Sequence, residues 1–248
     1  MRSFALDLAG QQWDVQVSQN ELDALHRPLL QEIARQAAAQ AERYVVFLAG
    51  PPGSGKTTLG ALWEKLAHES NLTPAILTLP MDGVHLPNVI LDAQTMVRDG
   101  QAILLRKIKG APESFDLPLL KRLLQDVRAG QEMAWPKYDR QIHDPVANAI
   151  AVPRAGILLL EGNYLLLDEP GWRELKALAD FTIFIECAEA LSRESLVARG
   201  QRGGRSAESA WQHYAFSDLL NWQRVMQHRL ASDVVLRVND QRRLARVL

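Results

Sequence analysis

The sequence predicts an α/β fold, a three-layer α/β/α sandwich with a mostly parallel five-stranded sheet. Short apolar runs rich in β-branched and aromatic residues are typical of strands buried on both faces, and helical segments alternate with them along the chain. A glycine-rich loop joins the first of these runs directly to a helix. No repeat, low-complexity tract or linker separates the elements, so residues 1–248 are predicted to form a single domain.

Residues 1–42 are predicted to form a helical extension in front of this sheet. Ser18-Gln19-Asn20-Glu21 has the spacing of a capping box, which marks the start of a helix. Pro28 leaves open whether one helix or two follow, because proline is comfortable only in a first helical turn. Two roles stay open for the extension, packing on the sheet or forming the interface of a homodimer. Helical spacing is seen in the apolar residues Leu22, Leu25, Leu29, Ile33 and Ala37.

Five apolar runs are predicted to be the strands of the sheet. The run at 44–48 is the central strand, and the helix after it carries apolar residues at helical spacing from Leu59 to Ala67. Another helix is predicted at 117–129, ended by Gly130. Because strands and helices alternate, the strands are expected to run parallel with helices on both faces. The other four predicted strands are 75–79, 157–160, 181–185 and 234–238.

Composition and charge exclude several classes of protein. The chain has 28 Lys and Arg against 29 Asp and Glu, a net charge of -1, so no nucleic-acid or membrane partner is predicted. Cys187 is the single cysteine and cannot form an intramolecular disulfide, and no signal-type apolar core follows Met1. No apolar stretch approaches the roughly 20 residues that span a bilayer. A cytoplasmic protein that does not span a membrane is therefore expected.

The loop after the central strand fits the pattern G-x-x-x-x-G-K-[ST] in full, and Thr58 follows it. Between a strand and a helix this pattern is typical of a phosphate-binding loop, because its glycines let backbone N–H groups point at phosphate oxygens. Lys56 is predicted to contact the β- and γ-phosphates of ATP, and Thr57 to hold Mg²⁺. The chain contains neither Asn-Lys-x-Asp nor Leu-Ser-Gly-Gly-Gln, which argues against a GTPase and a transporter ATPase. The loop reads Gly50-Pro51-Pro52-Gly53-Ser54-Gly55-Lys56-Thr57.

A second candidate segment, Met81 to Asn88, follows the second predicted strand. Asp82 would lie at the carboxyl end of the sheet and face the γ-phosphate. A carboxylate there can accept the proton of an acceptor hydroxyl and orient that hydroxyl for in-line attack. The alternative for Asp82 is a turn residue before Gly83. His85 either contacts the substrate or packs in the interior.

From about Arg43 onward the chain resembles the uridine kinase, phosphoribulokinase and pantothenate kinase group of P-loop kinases. Within that group it is most similar to the bacterial nucleoside/nucleotide kinase-like branch, also described as fructose-transport-associated kinases. The resemblance rests on the two segments above and on three further motifs. They are Lys109-Gly110-Ala111-Pro112-Glu113-Ser114-Phe115-Asp116, Tyr138-Asp139-Arg140-Gln141-Ile142-His143-Asp144-Pro145 and Leu160-Glu161-Gly162-Asn163-Tyr164.

The resemblance implies an enzyme, a kinase that transfers the γ-phosphoryl group of ATP to a hydroxyl of a sugar, nucleoside or pantothenate-like metabolite. Asp82 matches the catalytic acid of the group, and Glu161 matches the carboxylate near Mg²⁺. For Glu161 the alternative is a residue that caps the next element. A competing hypothesis from another class is a regulatory P-loop ATPase that acts with a partner protein.

The acceptor pocket and a mobile lid are also implied by the resemblance. The acceptor segment is predicted to contribute Tyr138, Arg140 and His143, with Asn163 from the following motif, and the alternative is a surface hairpin. A helical lid is expected at about 188–215, where arginine can donate paired hydrogen bonds to phosphate. Arg199 and Arg202 are the preferred phosphate-binding pair, and the alternative is an exposed basic helix end. The lid also contains Arg193 and Arg205.

Overall fold

Twelve strands and eight α-helices are seen in a computed structural model that describes residues 1–8, 11–40, 42–98 and 100–247. The strands are β1 (Arg2–Leu8), β2 (Gln11–Val17), β3 (Arg43–Ala49), β4 (Ile76–Pro80), β5 (Thr95–Arg98), β6 (Gln101–Leu104), β7 (Met133–Asp139), β8 (Asp144–Val152), β9 (Gly156–Gly162), β10 (Phe181–Glu186), β11 (Val234–Val238) and β12 (Leu244–Arg246).

The helices are distributed between the strands, and none in the described ranges is long and apolar enough to cross a membrane. Short 3-10 turns at Met81–Val84 and Pro112–Ser114 lie in two of the segments singled out by sequence. The α-helices are α1 (Gln19–Glu21), α2 (Arg27–Ala38), α3 (Lys56–Glu69), α4 (Asn88–Ala93), α5 (Leu117–Arg128), α6 (Glu189–Arg202), α7 (Ala207–His213) and α8 (Leu219–Gln227).

The central sheet has the order β12-β11-β10-β3-β9-β4. The five predicted strands are confirmed as β3, β4, β9, β10 and β11, and they pair with one another in parallel. The predicted number of five is one short, because β12 adds an antiparallel edge strand on β11. At three residues, β12 is too short to give an alternating pattern that sequence reasoning could detect.

Two layers of helices cover this sheet, as predicted. Along β3, Tyr44, Val46 and Leu48 face α2 and α3, whereas Val45 and Phe47 face α5 and the β7–β8 hairpin. All five side chains are at most 2% exposed. The alternation explains why this strand is a continuous apolar run rather than an alternating one. The predicted three-layer sandwich is confirmed.

The N-terminal extension is not helical throughout, and the prediction is wrong for its first half. Residues of β1 and β2 form an antiparallel hairpin, in which Phe4 and Leu6 alternate with exposed neighbours and are buried against the core that includes α3. The alternation of Phe4 and Leu6 favours a strand, but it is short. The longer helical pattern that begins at Leu22 led to the prediction of a helix for the whole extension.

A helix does follow the hairpin, and it is continuous. Ser18 caps it by accepting a hydrogen bond from the backbone N–H of Glu21, as the capping box predicts. A π-helical stretch at Leu22–His26 precedes Pro28, which has no N–H to donate to the preceding turn. The helix nevertheless continues through Pro28 without a break. Apolar side chains of α2, among them Leu29 and Ile33, pack in the core on the sheet.

Arg43, the buried first residue of β3, connects this strand to two neighbouring segments by hydrogen bonds. Its guanidinium donates to the carbonyl oxygens of Pro153 (2.7 Å), Gln131 (2.7 Å) and Val127 (3.2 Å), and the residue is 3% exposed. Replacing Arg43 by Met is expected to lower the free energy of unfolding by about 2–4 kcal/mol, because three carbonyls lose a charged donor. Urea unfolding measures this.

The matched control for that substitution is Arg154→Met, since the Arg154 side chain is 83% exposed. Its expected effect is within about 0.5 kcal/mol. Equal effects of the two substitutions would show that the buried guanidinium contributes nothing beyond surface charge.

Candidate active site

The glycine-rich loop lies between the end of β3 and the start of α3, as predicted. Gly53 and Gly55 have φ angles of +77° and +90°, which other residues adopt only with strain. A side chain on Gly50 would come within 2.8 Å of the backbone oxygen of Ile185 at the end of β10. The loop is therefore held in a tight turn over the carboxyl ends of the parallel strands.

Lys56 is folded back onto this loop. Its ammonium donates to the carbonyl oxygens of Gly50 and Pro51, both at 2.9 Å, and the residue is 6% exposed. Burial lowers the pKa of Lys56 to about 8, although the carboxylates of Glu161 and Asp82 act in the opposite direction. The cation therefore lies beside the space that the loop N–H groups surround, where phosphate oxygens could replace its carbonyl partners.

Thr57 and Glu161 place two oxygen ligands side by side. The Thr57 hydroxyl donates to Oε1 of Glu161 at 2.9 Å, and Glu161 pairs with Leu48 of β3 and Pro80 of β4 at the sheet end. Burial raises the pKa of Glu161 to about 6, and the neighbouring carboxylate of Asp82 adds to this rise. Hard oxygen ligands next to a phosphate loop fit the requirements of Mg²⁺.

Asp82 lies in the 3-10 turn that begins directly after β4. Its side chain is 43% exposed, and one carboxylate oxygen lies 3.8 Å from the Arg140 guanidinium. Burial acts to raise the pKa of Asp82, but the cations around it outweigh burial and hold that pKa below its ordinary value. Asp82 is therefore ionised at neutral pH and can accept a hydrogen bond from a hydroxyl. At the acidic pH where Asp82 titrates, the cations are protonated His85, Arg140, Arg199 and Lys56.

Gly83 is required by the strand that packs on this turn. A methyl group there would lie 2.1 Å from the carbonyl oxygen of Pro136 in β7. Trp135 anchors the same contact by donating its indole N–H to the carbonyl oxygen of Pro80 at 2.9 Å. We expect Gly83→Ala to push β7 and the Asp82 turn apart and to lower the free energy of unfolding by about 1–3 kcal/mol.

Thermal unfolding, read together with the near-ultraviolet circular dichroism of the aromatic residues, tests the Gly83 substitution. A variant with unchanged stability and an unchanged aromatic signal would contradict the close contact.

His85 is held in the interior beside Asp82. Its Nδ1 lies 2.8 Å from the backbone oxygen of Asp82, and its ring centroid lies 3.9 Å from that of Phe115 and 5.4 Å from that of Tyr138. Burial lowers the pKa of His85 against the raising effect of Asp82, so the ring is neutral at pH 7. Of the two predicted roles the packing one is evident, and the ring also forms one wall beside Tyr138.

The predicted acceptor segment forms the turn of the β7–β8 hairpin, so the hairpin alternative and the proximity to Asp82 both hold. Tyr138 and Arg140 lie on the side near Asp82. His143 contributes its backbone oxygen, which accepts from Lys109 at 2.8 Å and from the Asn88 amide at 2.9 Å. These contacts assign no role to the His143 imidazole.

Asn163 follows Glu161 at the end of β9 and is half-buried. Its side chain makes no hydrogen bond with the residues that the structure describes. The next residue, Tyr164, is fully buried and donates its hydroxyl hydrogen to the backbone oxygen of Gly110. This bond fixes the Lys109–Asp116 motif against the segment that follows β9. Asp116 caps α5 by accepting from the N–H of Leu119 at 2.9 Å.

Lys109 and Asn88 are polar residues of the site that were not among the residues predicted from the sequence. Lys109 donates to Oδ1 of Asn88 at 2.6 Å, and its ammonium lies 4.8 Å from the Tyr138 ring centroid. The backbone N–H of Asn88 also donates to Oδ1 of Asp144 at 2.8 Å. Both lie in motifs recognised in the sequence, so their presence in those motifs is the signal that could have identified them.

The segment predicted as the lid begins with α6, which packs directly on the phosphate loop. Ser192 donates its hydroxyl hydrogen to the backbone oxygen of Pro52, and a side chain on Gly53 would come within 2.8 Å of the Ser192 backbone oxygen. Arg199, further along α6, is close enough to Asp82 and Lys56 to lower the pKa of each. Its position agrees with the predicted contact to phosphate.

Arg202 lies elsewhere, and the geometry does not support its predicted catalytic role. Its guanidinium stacks 4.7 Å from the ring centroid of Trp13 in β2, at the exposed end of α6. Arg202 is the last residue of α6, one turn beyond Arg199, and its long side chain extends from the helix end to the N-terminal hairpin. Arg193 pairs with Glu189 at 3.0 Å on the same helix.

Asp218 is a lid carboxylate that the site predictions did not include. It lies 4.0 Å from the His213 imidazole. Burial raises the pKa of Asp218, while His213, Arg199 and Arg205 act to lower it. The charges of Arg199 and Arg205 therefore act on this carboxylate.

A family model decides the classification of this arrangement. The model of the Phosphoribulokinase / Uridine kinase family matches residues 45–240, which include the phosphate loop, Asp82, Glu161 and most of the lid. The chain belongs to this family. Membership makes it a P-loop kinase of small molecules, a phosphotransferase of an ATP-binding fold, and confirms the group that the sequence motifs indicated.

Two curated relatives and one solved structure cover most of the chain. "Uncharacterized protein YggC" of Escherichia coli K12 is 40% identical over 96% of both chains. "Putative uridine kinase C227.14" of Schizosaccharomyces pombe is 33% identical over 79% of this chain and 83% of its own. The crystal structure of a "putative fructose transport system kinase" from Silicibacter sp. TM1040 matches with a TM-score of 0.74 and 33% identity, over 86% of this chain and 98% of that one.

Proposed function

We propose that this member of the Phosphoribulokinase / Uridine kinase family transfers the γ-phosphoryl group of ATP to a hydroxyl of a sugar, nucleoside or pantothenate-like metabolite in the cytoplasm. One observation supports this above the others. The ionised carboxylate of Asp82 lies between the cations of the phosphate side, Lys56 and Arg199, and the acceptor side formed by Tyr138 and Arg140.

The donor side would hold ATP through the phosphate loop. Loop N–H groups and the positive end of α3 attract phosphate oxygens, and Lys56 can exchange its loop carbonyls for the β- and γ-phosphates. Thr57 and Glu161 would hold Mg²⁺, which when bound neutralises charge on the phosphates. Arg199 would contact the transferring group from the lid.

On the acceptor side, Asp82 would orient the attacking hydroxyl. The carboxylate accepts the hydroxyl proton as the oxygen forms its bond to the γ-phosphorus and the bond to the β-phosphate oxygen breaks, which gives the phosphorylated product and ADP. Strong basicity is not needed for this role, because the proton moves late in a loose transition state. The lowered pKa of Asp82 is consistent with a group whose task is positioning.

The lid would separate this reaction from water, which competes with the acceptor hydroxyl. Helix α6 already rests on the phosphate loop through Ser192, so ordering of the loop by ATP is transmitted to the helix that bears Arg199. The segment after it, from Gly203 to Ser206, contains two glycines and is exposed. It is the part of the lid best suited to act as a hinge.

A screen with γ-labelled ATP tests the proposal. Sugars, nucleosides and pantothenate-like compounds, each with Mg²⁺, are separated from ATP and inorganic phosphate, and label on the acceptor is counted. The proposal predicts label on at least one acceptor. ATP hydrolysis that is unaffected by every acceptor, with label only in inorganic phosphate, would favour the regulatory P-loop ATPase.

A further inference from the structure

Three cationic side chains surround Tyr138 on the acceptor side of Asp82. The Lys109 ammonium lies 4.8 Å from the Tyr138 ring centroid, and the Arg140 guanidinium lies 3.8 Å from Asp82. Arg106 comes from the 3-10 turn Leu105–Ile108 just before Lys109. Its charge acts on both neighbours, since it contributes to lowering the pKa of Lys109 after burial and opposes the burial-driven rise in the pKa of Tyr138.

Arg106 is the member of this group that has an unsatisfied hydrogen-bond donor. Its Nη1 is buried and has no hydrogen-bond partner among the residues that the structure describes. The nearest carboxylate is that of Asp92, 4.0 Å from Nε, which is too long for a hydrogen bond. A buried guanidinium N–H without an acceptor is costly, so such a group commonly awaits a ligand or water.

Lys109 is also without a carboxylate in direct contact. Its hydrogen bonds go to two neutral oxygens, Oδ1 of Asn88 at 2.6 Å and the backbone oxygen of His143 at 2.8 Å. These contacts hold the ammonium in place without neutralising it. Because the side chain is anchored on both sides, little conformational entropy would be lost when it binds an anion.

The carboxylates of this region are already committed. Asp144 accepts a hydrogen bond from the backbone N–H of Asn88 at 2.8 Å. Asp92 approaches Arg106 only at the Nε atom of Arg106, at 4.0 Å. Asp82 is reserved for the attacking hydroxyl. Neither Arg106 nor Lys109 therefore has a carboxylate within hydrogen-bond distance, and both can bind an anion.

We infer that the acceptor carries an anionic group, a phosphate or a carboxylate, in addition to the hydroxyl that is phosphorylated, and that Arg106 and Lys109 bind this group. The inference rests on the proposed kinase function and narrows its acceptor to a phosphorylated sugar or a sugar acid. Paired hydrogen bonds from a guanidinium suit both anions, and the lysine acts as a point charge beside it.

Matched pairs of probes test the inference by isothermal titration calorimetry on the full chain, with Mg²⁺ and a non-hydrolysable ATP analogue present. The pairs are ribose 5-phosphate against ribose, and gluconate against glucose. At least one charged member is expected to bind more tightly than its neutral partner, and the pair in which this occurs distinguishes phosphate from carboxylate. Binding of the charged member should weaken as salt is raised.

Arg106→Gln and Lys109→Met are the test variants. Lys107→Met is the control, because Lys107 lies in the same 3-10 turn next to Arg106 and its side chain is exposed. Each test variant is expected to weaken binding of the charged probe by about 10–100-fold. The neutral probe and the ATP analogue should bind as before, which also shows that the variants fold.

The inference is overturned if neither charged probe binds more tightly than its neutral partner, or if both test variants bind the charged probe as the control does. Label transfer to neutral acceptors with the same kcat/KM as to charged ones would also overturn it, while leaving the kinase function standing. Selective anion binding that is lost in the variants, with no label transfer to any acceptor, would support the anion site and count against the kinase.

Discussion

Asp82→Asn is expected to lower kcat by about 10²–10⁴-fold, the range that a positioned proton acceptor contributes. The amide keeps the size of the carboxylate but cannot take up the hydroxyl proton. The 3-10 turn is held by its backbone and by Gly83, so the variant should keep its fold and its ATP affinity. Initial rates of label transfer at saturating ATP and acceptor measure the change.

The matched control for Asp82 is Asp240→Asn, an exposed aspartate in the turn between β11 and β12. It removes the same charge from an exposed turn and should leave kcat unchanged. A kcat for Asp82→Asn close to that of the control would show that Asp82 is the turn residue of the alternative interpretation and not the group that orients the hydroxyl.

Lys56→Met is expected to lower kcat/KM for ATP by about 10²–10³-fold, in line with the loss of a preorganised charge at a transferring group. Methionine can fill the buried space of the lysine stem, which keeps α3 and the loop packed. What is lost is the cation that bonds the carbonyl oxygens of Gly50 and Pro51 in the absence of ATP. Steady-state kinetics with varied ATP measure this effect.

Lys65→Met serves as the control for Lys56, because it lies on the same helix with its side chain exposed. Its kcat/KM for ATP should match that of the unsubstituted protein. If Lys56→Met retained full kcat/KM, the lysine would be a structural clamp of the loop carbonyls, and its proposed contact with phosphate would be wrong.

The parts of the fold that sequence could predict are those whose signal is local. The 44–48 run of β3 is apolar without alternation because both of its faces are covered, and the phosphate loop has a fixed spacing because its backbone geometry requires glycine at Gly53 and Gly55. In the same way, the hydroxyl of Thr57 and the carboxylate of Glu161 meet because parallel strands end at one edge of the sheet.

Elements with weak or competing local signals were not predicted. The β1–β2 hairpin has only a short alternation at Phe4 and Leu6, and the stronger helical pattern of the following segment extended over it. Arg202 is close to Arg199 in sequence, but its side chain extends to Trp13 and not to the phosphate loop. A single sequence does not reveal this side-chain direction.

The acceptor side depends on contacts between distant segments, which a single sequence does not reveal. Lys109, Asn88 and the backbone of His143 come from three segments that meet only in the folded chain. The unpaired Nη1 of Arg106 likewise results from tertiary packing.

The central claim is that the phosphate loop and Asp82 form the two halves of one phosphoryl-transfer site. The most direct test measures ADP and phosphorylated acceptor in the same reaction, with γ-labelled ATP, Mg²⁺ and the acceptor found in the screen. The claim predicts that ADP forms only when the acceptor is present, with one labelled acceptor for each ADP. ADP formed at the same rate without acceptor, and without labelled acceptor, would contradict it.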